Sequence, residues 1–206
     1  MRRAIKWAIY GIVFILVLPF GLLARLFHLI FHSQLFFHLF AETFSLLPSY
    51  VGILVRGSFY NQTLKQAHHD LVIHFGGYIS KMDSVIGKNV VIAGHATVGL
   101  VIAGDNAAIG NHTNILSGRR HHNFEDSSRD VFSIEDRFTP INIGKNAFIG
   151  DNSVVMADVG ESSIIGAGSV VVKDIPDHVV AVGNPARVIK QRSRPGSSSR
   201  QEGPGK

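Results

Sequence analysis

Residues 141–172, INIGKNAFIGDNSVVMADVGESSIIGAGSVVV, carry an aliphatic residue at every sixth position. The series, with one step of four residues, is Ile143, Ile149, Val155, Val159, Ile165 and Val171. Glycine usually follows the aliphatic residue, and a small residue usually stands four places after it. This period predicts a parallel β-helix, in which three short strands form a triangular coil of about 18 residues. The aliphatic side chains then point inward and stack between neighbouring coils.

The same period occurs earlier in the chain. With one step of five residues, this run is Ile86, Ile92, Val98, Ala103, Ile109 and Ile115. Between the two runs lies the segment 117–140, which shows no period. An unpatterned segment of this length inside a compact repeat domain is typically functional or disordered. We therefore expect the chemistry in this segment, the active-site loop. Strands of a β-sandwich would instead alternate with a period of two.

The N-terminus is strongly apolar. Three basic residues within the first six precede the uncharged stretch 7–24, which is long enough for a membrane span with its N-terminus on the cytoplasmic side. No clear cleavage site follows, which disfavours a signal peptide. A second apolar stretch, 26–47, contains three histidines and a glutamate and is typical of an interfacial helix or the return limb of a hairpin. Pro19 marks either a break between two limbs or a kink in one helix.

Composition excludes several classes of protein. The chain has no cysteine, so it has neither disulfides nor thiolate metal sites. Its net charge of +5 is mild, and no basic stripe interleaved with aromatic residues indicates nucleic acid. We expect the β-helix to begin near Leu71 and a short closing helix at 186–191. The predicted regions are a membrane-associated helical segment (1–48), a connecting amphipathic segment (49–70), the β-helix domain (71–192) and a disordered tail (193–206).

Several longer motifs resemble the hexapeptide acyltransferases. Residues 165–190, IGAGSVVVKDIPDHVVAVGNPARVIK, are similar to the C-terminal signature of that family, and INIGKNAFIGDNSVV is similar to the preceding coil. NILSGRRHHNF, 114–124, resembles the approach to the active site. LLPSYVGILVRGSFY with the apolar N-terminus resembles the membrane-associated subgroup of polysaccharide biosynthesis. The resemblance implies a mainly β fold, a left-handed parallel β-helix of hexapeptide repeats with an N-terminal apolar helical segment.

The resemblance also implies a homotrimer with acyl-CoA, most simply acetyl-CoA, bound between neighbouring subunits. A histidine near the loop would deprotonate an acceptor hydroxyl, which attacks the thioester directly; imidazole is a base matched to neutral pH. We favour His122 as this base, with His121 as the alternative. His112 is interpreted as a structural corner residue, and His95 as either a cleft or a surface residue. The acidic partner of the base stays open.

Cofactor contacts follow from the same resemblance. Ala167 and Gly168 match the family's contacts with pantetheine amides, and Lys173 and Arg187 match positions near the nucleotide phosphates. Position 172 is Val where the family frequently has Thr, so one hydrogen bond to the cofactor is in doubt. No metal is expected.

The favoured function is an O-acyltransferase, an acetyltransferase acting on a saccharide hydroxyl in cell-surface glycan or exopolysaccharide biosynthesis. The predicted location is the inner membrane, with the catalytic domain facing the cytoplasm. The saccharide acceptor is either lipid-linked or free. The first alternative is an N-acyltransferase acting on an amino sugar. A zinc enzyme of the carbonic anhydrase type and a non-catalytic scaffold are further alternatives. The imidazoles available to such a zinc site are His95, His112, His121 and His122.

Overall fold

The computed structural model describes residues 2–117 and 138–193, with side chains from residue 7 onward. Its helices are α1 (Arg2–Phe31), α2 (Leu35–Ser45) and α3 (Ser49–Thr63). The strands up to the active-site loop are β1 (Gln66–Ala67), β2 (Val72–Ile73), β3 (Tyr78–Ile79), β4 (Val85–Ile86), β5 (Val91–Ile92), β6 (Thr97–Val98), β7 (Val101–Ala103), β8 (Ala108–Ile109) and β9 (Asn114–Ile115). Those after it are β10 (Ile141–Ile143), β11 (Phe148–Ile149), β12 (Val154–Val155), β13 (Ile164–Ile165), β14 (Val170–Val171), β15 (Val179–Val182) and β16 (Arg187–Gln191).

The strands form three sheets that wind as a parallel β-solenoid of about five turns. The first sheet contains β1, β4, β7 and β10; the second contains β2, β5, β8, β11, β13, β15 and β16; the third contains β3, β6, β9, β12 and β14. All pairings are parallel except that of β15 with β16. The predicted β-helix is therefore confirmed, although its first strand begins at Gln66 rather than near Leu71.

The hexapeptide phase predicted the core correctly. Every aliphatic residue of the two periodic runs is at most 2% exposed. Coil length varies around the expected value of about 18 residues. Val91 pairs with Val72, 19 residues earlier, Ile102 with Val85, 17 residues earlier, and Ile164 with Phe148, 16 residues earlier. The short steps of five and four residues remove one or two residues from the loop corner of the later coils, and the inward phase is kept.

Three corners separate the sheets: an asparagine corner, a histidine corner and a loop corner. The asparagine corner joins the first sheet to the second and holds Asn89, Asn106 and Asn146, whose φ angles are 53°, 59° and 55°. Asparagine tolerates this left-handed conformation, and the amides form a ladder with spacings of 3.2 and 3.0 Å. The histidine corner, with His95 and His112, joins the second sheet to the third. The loop corner joins the third sheet to the first and lies at the active-site loop.

The expected closing helix at 186–191 is wrong. Residues Arg187–Gln191 form β16, which pairs antiparallel with β15. The run contains the β-branched residues Val188 and Ile189, which favour a strand. By pairing with β15, β16 covers the edge that the second sheet would otherwise leave open.

Helix α1 continues through Pro19, so the chain does not break at that residue. The reversal lies at residues 32–34, after which α2 returns antiparallel to α1. Phe27 packs on Phe36 with ring centroids 4.8 Å apart, and Phe20 packs on Phe40 at 5.1 Å. The two apolar stretches of the sequence therefore form a helical hairpin whose turn comes later than Pro19.

Helices α2 and α3 cover the first coil. Phe37, Phe59 and Tyr60 are fully buried and belong to the same core as the solenoid. The Tyr60 hydroxyl accepts a hydrogen bond from the Ile79 amide at 2.8 Å. Since the first coil has no preceding coil to pair with, these helices supply the contacts that such a coil would make.

Within the described residues, one helical stretch, residues 7–31 of α1, is long and apolar enough to cross a membrane, with a mean hydropathy of 2.3. One side of this stretch packs on α3: Val17 and Ala24 are buried, and Gln62 Nε2 donates to the Phe14 carbonyl at 2.9 Å. The opposite side presents large apolar residues to the outside, such as Leu16 at 66% exposure.

Candidate active site

The active-site loop begins and ends at one point of the solenoid. The Thr139 amide donates to the Ser117 carbonyl at 3.0 Å, and Ser117 Oγ accepts from the Leu100 amide at 2.9 Å. Ser117 Oγ packs so tightly on the coil below that a Cβ at Gly99 would lie 2.5 Å from it. The sequence between Ser117 and Phe138 is therefore an insertion at the loop corner. His121 and His122 belong to this insertion and lie outside the described residues.

The returning limb of the insertion contacts the first coil. Lys81 Nζ lies 3.7 Å from the centroid of the Phe138 ring, a cation–π contact. Lys173 is exposed on the same corner, between β14 and Ile175 of the last coil. The loop corner thus carries the root of the insertion and two lysines, on different coils.

Acidic side chains run alongside this corner. Asp158 accepts two hydrogen bonds from Asn142, from the backbone amide and from Nδ2, each at 2.9 Å. Asp174 Oδ1 in turn accepts the Asp158 amide at 3.1 Å. These side chains bind backbone amides of neighbouring coils, so they fix the stacking of the coils beside the corner.

The histidine corner lies on the other side of the third sheet. His95 and His112 stack in parallel, with centroids 5.0 Å apart and planes 5° apart, and both have positive φ. A Cβ at Gly76, one coil before, would lie 2.3 Å from His95 Nδ1. Both histidines therefore occupy turn positions in the solenoid, stacked on each other coil by coil.

Ala167 and Gly168 lie at the histidine corner of the last coil and are exposed. Gly168 has φ +70°, and a Cβ placed on it would meet no atom within 4 Å. The Ala186 amide donates to the Val170 carbonyl at 2.8 Å, so Arg187 directly follows a residue beside the start of β14, on the Gly168 side of the third sheet. Lys173 lies across the third sheet, at the loop corner. Ala167, Gly168 and Arg187 thus lie beside one edge of the outer face of the third sheet, and Lys173 lies beside the other edge.

The described residues contain one group of side chains close enough together to hold a metal ion, His68, His69 and Asp70. His68 Nδ1 lies 2.7 Å from Asp70 Oδ1, and Asp70 also accepts the Asn89 amide at 2.9 Å. Burial tends to raise the pKa of Asp70, but the Asn89 amide, His68 and His69 together outweigh it, so the pKa is lowered. This group does not include the stacked pair His95 and His112, on which a zinc enzyme would rely.

Sequence reasoning did not identify Arg56 as a central residue. It is 1% exposed, and its Nε donates to the Ile73 carbonyl at 2.9 Å. Its Nη1 donates to the Phe44, Ser45 and Leu47 carbonyls at 2.9, 3.3 and 2.7 Å. Burial lowers the pKa of Arg56. The available signal was that Arg56 is the only charged residue between Glu42 and Lys65.

Solved structures share this architecture. A hexapeptide-repeat-containing acetyltransferase from Vibrio cholerae matches with a TM-score of 0.59 and 22% identity over 68% of this chain and 80% of that protein. A maltose O-acetyltransferase from Clostridium difficile 630 matches with a TM-score of 0.57 and 23% identity over 75% of this chain and 86% of that protein. A Vibrio cholerae O1 biovar eltor acetyltransferase complexed with acetyl coenzyme A matches at 0.55 and 21% identity, over 68% of this chain and 77% of that protein.

No protein-family model matches the sequence, and no curated protein matches it. The chain has the fold of the hexapeptide-repeat acetyltransferases, as the sequence motifs predicted. At this level of identity the likeness establishes the fold.

Proposed function

We propose that the protein is an acetyl-CoA-dependent O-acetyltransferase that acts on a saccharide hydroxyl at a membrane surface. The observation that carries this proposal is the insertion at the loop corner, which contains His121 and His122 and is rooted by the hydrogen bond between Thr139 and Ser117. In an otherwise regular coil, this is where a reactive side chain can leave the rigid stack of strands.

In the proposed reaction, His122 takes the proton of the acceptor hydroxyl as its oxygen attacks the thioester carbonyl. A tetrahedral oxyanion forms, the C–S bond breaks, and the CoA thiolate receives the proton from the imidazolium. The products are the O-acetylated saccharide and CoA. The acetyl-CoA complex of a protein with this fold supports the choice of donor.

The placement of the candidate cofactor residues supports a CoA site along the third sheet. Gly168 leaves open space at the histidine corner, where a pantetheine chain can approach the backbone. Lys173 and Arg187 are exposed cations at the two edges of this sheet and suit the phosphates of the nucleotide. A homotrimer, with the donor bound between subunits, belongs to the same proposal.

The membrane part of the proposal rests on α1. Gln62 donates to the Phe14 carbonyl, and Arg25 donates to the Leu64 carbonyl at 3.1 Å, so residues 14–25 of α1, about 17 Å long, are bonded at both ends to the end of α3 and the residue after it. A helix held against the protein over this length exposes only its outer side to lipid. This favours a hairpin embedded in one leaflet over a single crossing, with the solenoid on the cytoplasmic side where acetyl-CoA is available.

The reaction is tested with labelled acetyl-CoA and membranes that contain the saccharide acceptor. His122→Ala is expected to reduce transfer at least about 100-fold, the usual contribution of a general base. His112→Asn is the matched control, because Asn152 occupies the equivalent corner position with φ 58°. Equal transfer by wild type and His122→Ala would reject His122, and His121→Ala then tests the alternative base. Alkali-labile label indicates an ester, and alkali-stable label an amide.

The orientation is tested by cysteine labelling, which has no background because the chain lacks cysteine. A cysteine at the exposed Lys145 is expected to react with a membrane-impermeant maleimide only after the cytoplasmic side is opened. Labelling of intact cells at this position would contradict the proposed orientation.

A further inference from the structure

A cavity of about 420 Å³ lies where α1, the end of α3 and the loop corner of the first coil meet. Its polar lining is formed by Arg25, His28, Thr63, Lys65 and Asp83. The proposed acetyl transfer uses none of these residues. The cavity lies at the opposite end of the solenoid from Ala167 and Gly168, so it is separate from the candidate cofactor contacts.

The cavity is suited to an anion. Among the described residues, neither Arg25 nor Lys65 has a carboxylate within 4.0 Å. A hydrogen bond from Nη2 to the Leu64 carbonyl at 3.1 Å holds the Arg25 guanidinium. Asp83 is the one opposing charge, and it leaves an excess of positive charge in the cavity.

One wall of the cavity belongs to the apolar surface of α1. Leu29, which lines the cavity, is 73% exposed, and the adjacent Ile30 and Phe31 are 64% and 62% exposed. A ligand in this cavity therefore meets the cations Arg25 and Lys65 next to exposed apolar side chains of α1. Lipids with a phosphate headgroup combine these two properties, because an acyl or prenyl chain can follow α1 while the phosphate contacts Arg25 and Lys65.

The cavity also adjoins the active-site loop. Lys81, which contacts the Phe138 ring at 3.7 Å, immediately precedes Met82 and Asp83 of the cavity wall. The root of the loop is two coils further along the same corner, about 10 Å at the usual spacing of strands. A short saccharide spans this distance.

We propose that this cavity binds the phosphate or diphosphate group of a membrane lipid. Resting on the proposed function, we further infer that this lipid carries the saccharide acceptor, with its sugar directed along the loop corner toward the active-site loop. Confinement of the acceptor to the membrane surface would raise its effective concentration at the enzyme.

Binding is measured directly, without acyl transfer, by calorimetric titration of the detergent-solubilised full chain. The probes are short-chain phosphatidic acid, short-chain phosphatidylcholine and glycerol 3-phosphate. Phosphatidic acid is expected to bind. Phosphatidylcholine is expected to bind far more weakly, because the positive charge of choline neutralises the net charge of its headgroup. Equal binding of both lipids would overturn the proposal. If glycerol 3-phosphate binds as tightly as phosphatidic acid, the cavity takes a soluble phosphate compound and the proposed lipid ligand is wrong.

Variants tie the binding to the cavity. Lys65→Gln is expected to weaken phosphatidic acid binding about tenfold, the worth of one charge-assisted hydrogen bond. Asp83→Asn is expected to strengthen it about threefold, because a repulsive charge is removed. Lys88→Gln, at an exposed lysine near the asparagine corner, is the matched control and is expected to change nothing. Unchanged affinity in both cavity variants would overturn the assignment.

The two proposals fail in distinguishable ways. If phosphatidic acid binds wild type and His122→Ala equally well but the wild type transfers no acetyl group, the phosphate site stands and the proposed reaction is wrong. If transfer occurs but Lys65→Gln has normal lipid affinity, the reaction stands and this inference is wrong.

Discussion

Replacement of the buried Arg56 by methionine is expected to destabilise the protein by about 2–4 kcal/mol. The Ile73 carbonyl is buried and would lose its Nε donor, which costs about 1–3 kcal/mol. The Phe44 and Leu47 carbonyls at the end of α2 are partly buried, so water replaces some of the lost Nη1 bonds. Removing a buried cation recovers some desolvation energy, but methionine offers no donor to these carbonyls.

Urea unfolding of the detergent-solubilised full chain measures this effect. Far-UV circular dichroism follows the solenoid, and the single tryptophan, Trp7, follows α1, since its ring lies 5.0 Å from that of His69. Arg56→Lys is expected to recover part of the loss, because an ammonium keeps the charge but not the geometry of the guanidinium. Lys145→Met, at an exposed lysine, controls for added hydrophobicity. A midpoint for Arg56→Met equal to wild type, with equal slope, would refute the reasoning.

Three further perturbations have defined outcomes. Gly168→Ala is expected to cost about 1–2 kcal/mol of stability, because its φ of +70° is left-handed, and to raise the KM for acetyl-CoA. Gly150→Ala should lower the unfolding midpoint further without this change in KM, because its Cβ would lie 2.5 Å from a backbone nitrogen. Kinetics and urea unfolding measure the two effects. Ile149→Ala should cost about 2–5 kcal/mol in unfolding experiments, and Phe148→Ala, at a 46% exposed position, much less. The lowered pKa of Asp70 means that its carboxylate stabilises the fold above the unfolded pKa of about 3.9 and that this contribution is lost as pH falls through the folded pKa. Asp70→Asn should therefore lose less stability than wild type on acidification, measured by unfolding midpoints across this pH range.

The sequence predicted the solenoid because each coil repeats one local rule. An inward aliphatic residue at every sixth position is visible in a single sequence, and Ile149 and Ile165 occupy the positions that this rule gives them. The position of the insertion followed from the interruption of the rule between Ile115 and Ile141. Local periodicity therefore located both the core and the candidate site.

The remaining features depend on contacts between distant parts of the chain. β16 was expected to be a helix, since residues 186–191 do not reveal that the edge of β15 is open beside them. The cavity joins Arg25, Lys65 and Asp83 from three elements, and no motif links these positions in the sequence. The turn after Phe31 was also not apparent, because His32 and Ser33 are a weaker turn signal than Pro19 and Gly21.

The N-terminal helices are part of the solenoid and not a detachable anchor. Arg56 bonds the end of α2 to the Ile73 carbonyl of the first coil, and Tyr60 bonds the Ile79 amide, so side chains of α3 pair with backbone groups of that coil. Helix α1 packs on α3, and its other side is apolar and exposed. A surface that binds the exposed side of α1 therefore also fixes the distance of the solenoid from that surface and its orientation. In the proposed function, this rigid connection keeps the loop corner next to the lipid phosphate, so the acceptor sugar is presented to the active-site loop without a flexible linker.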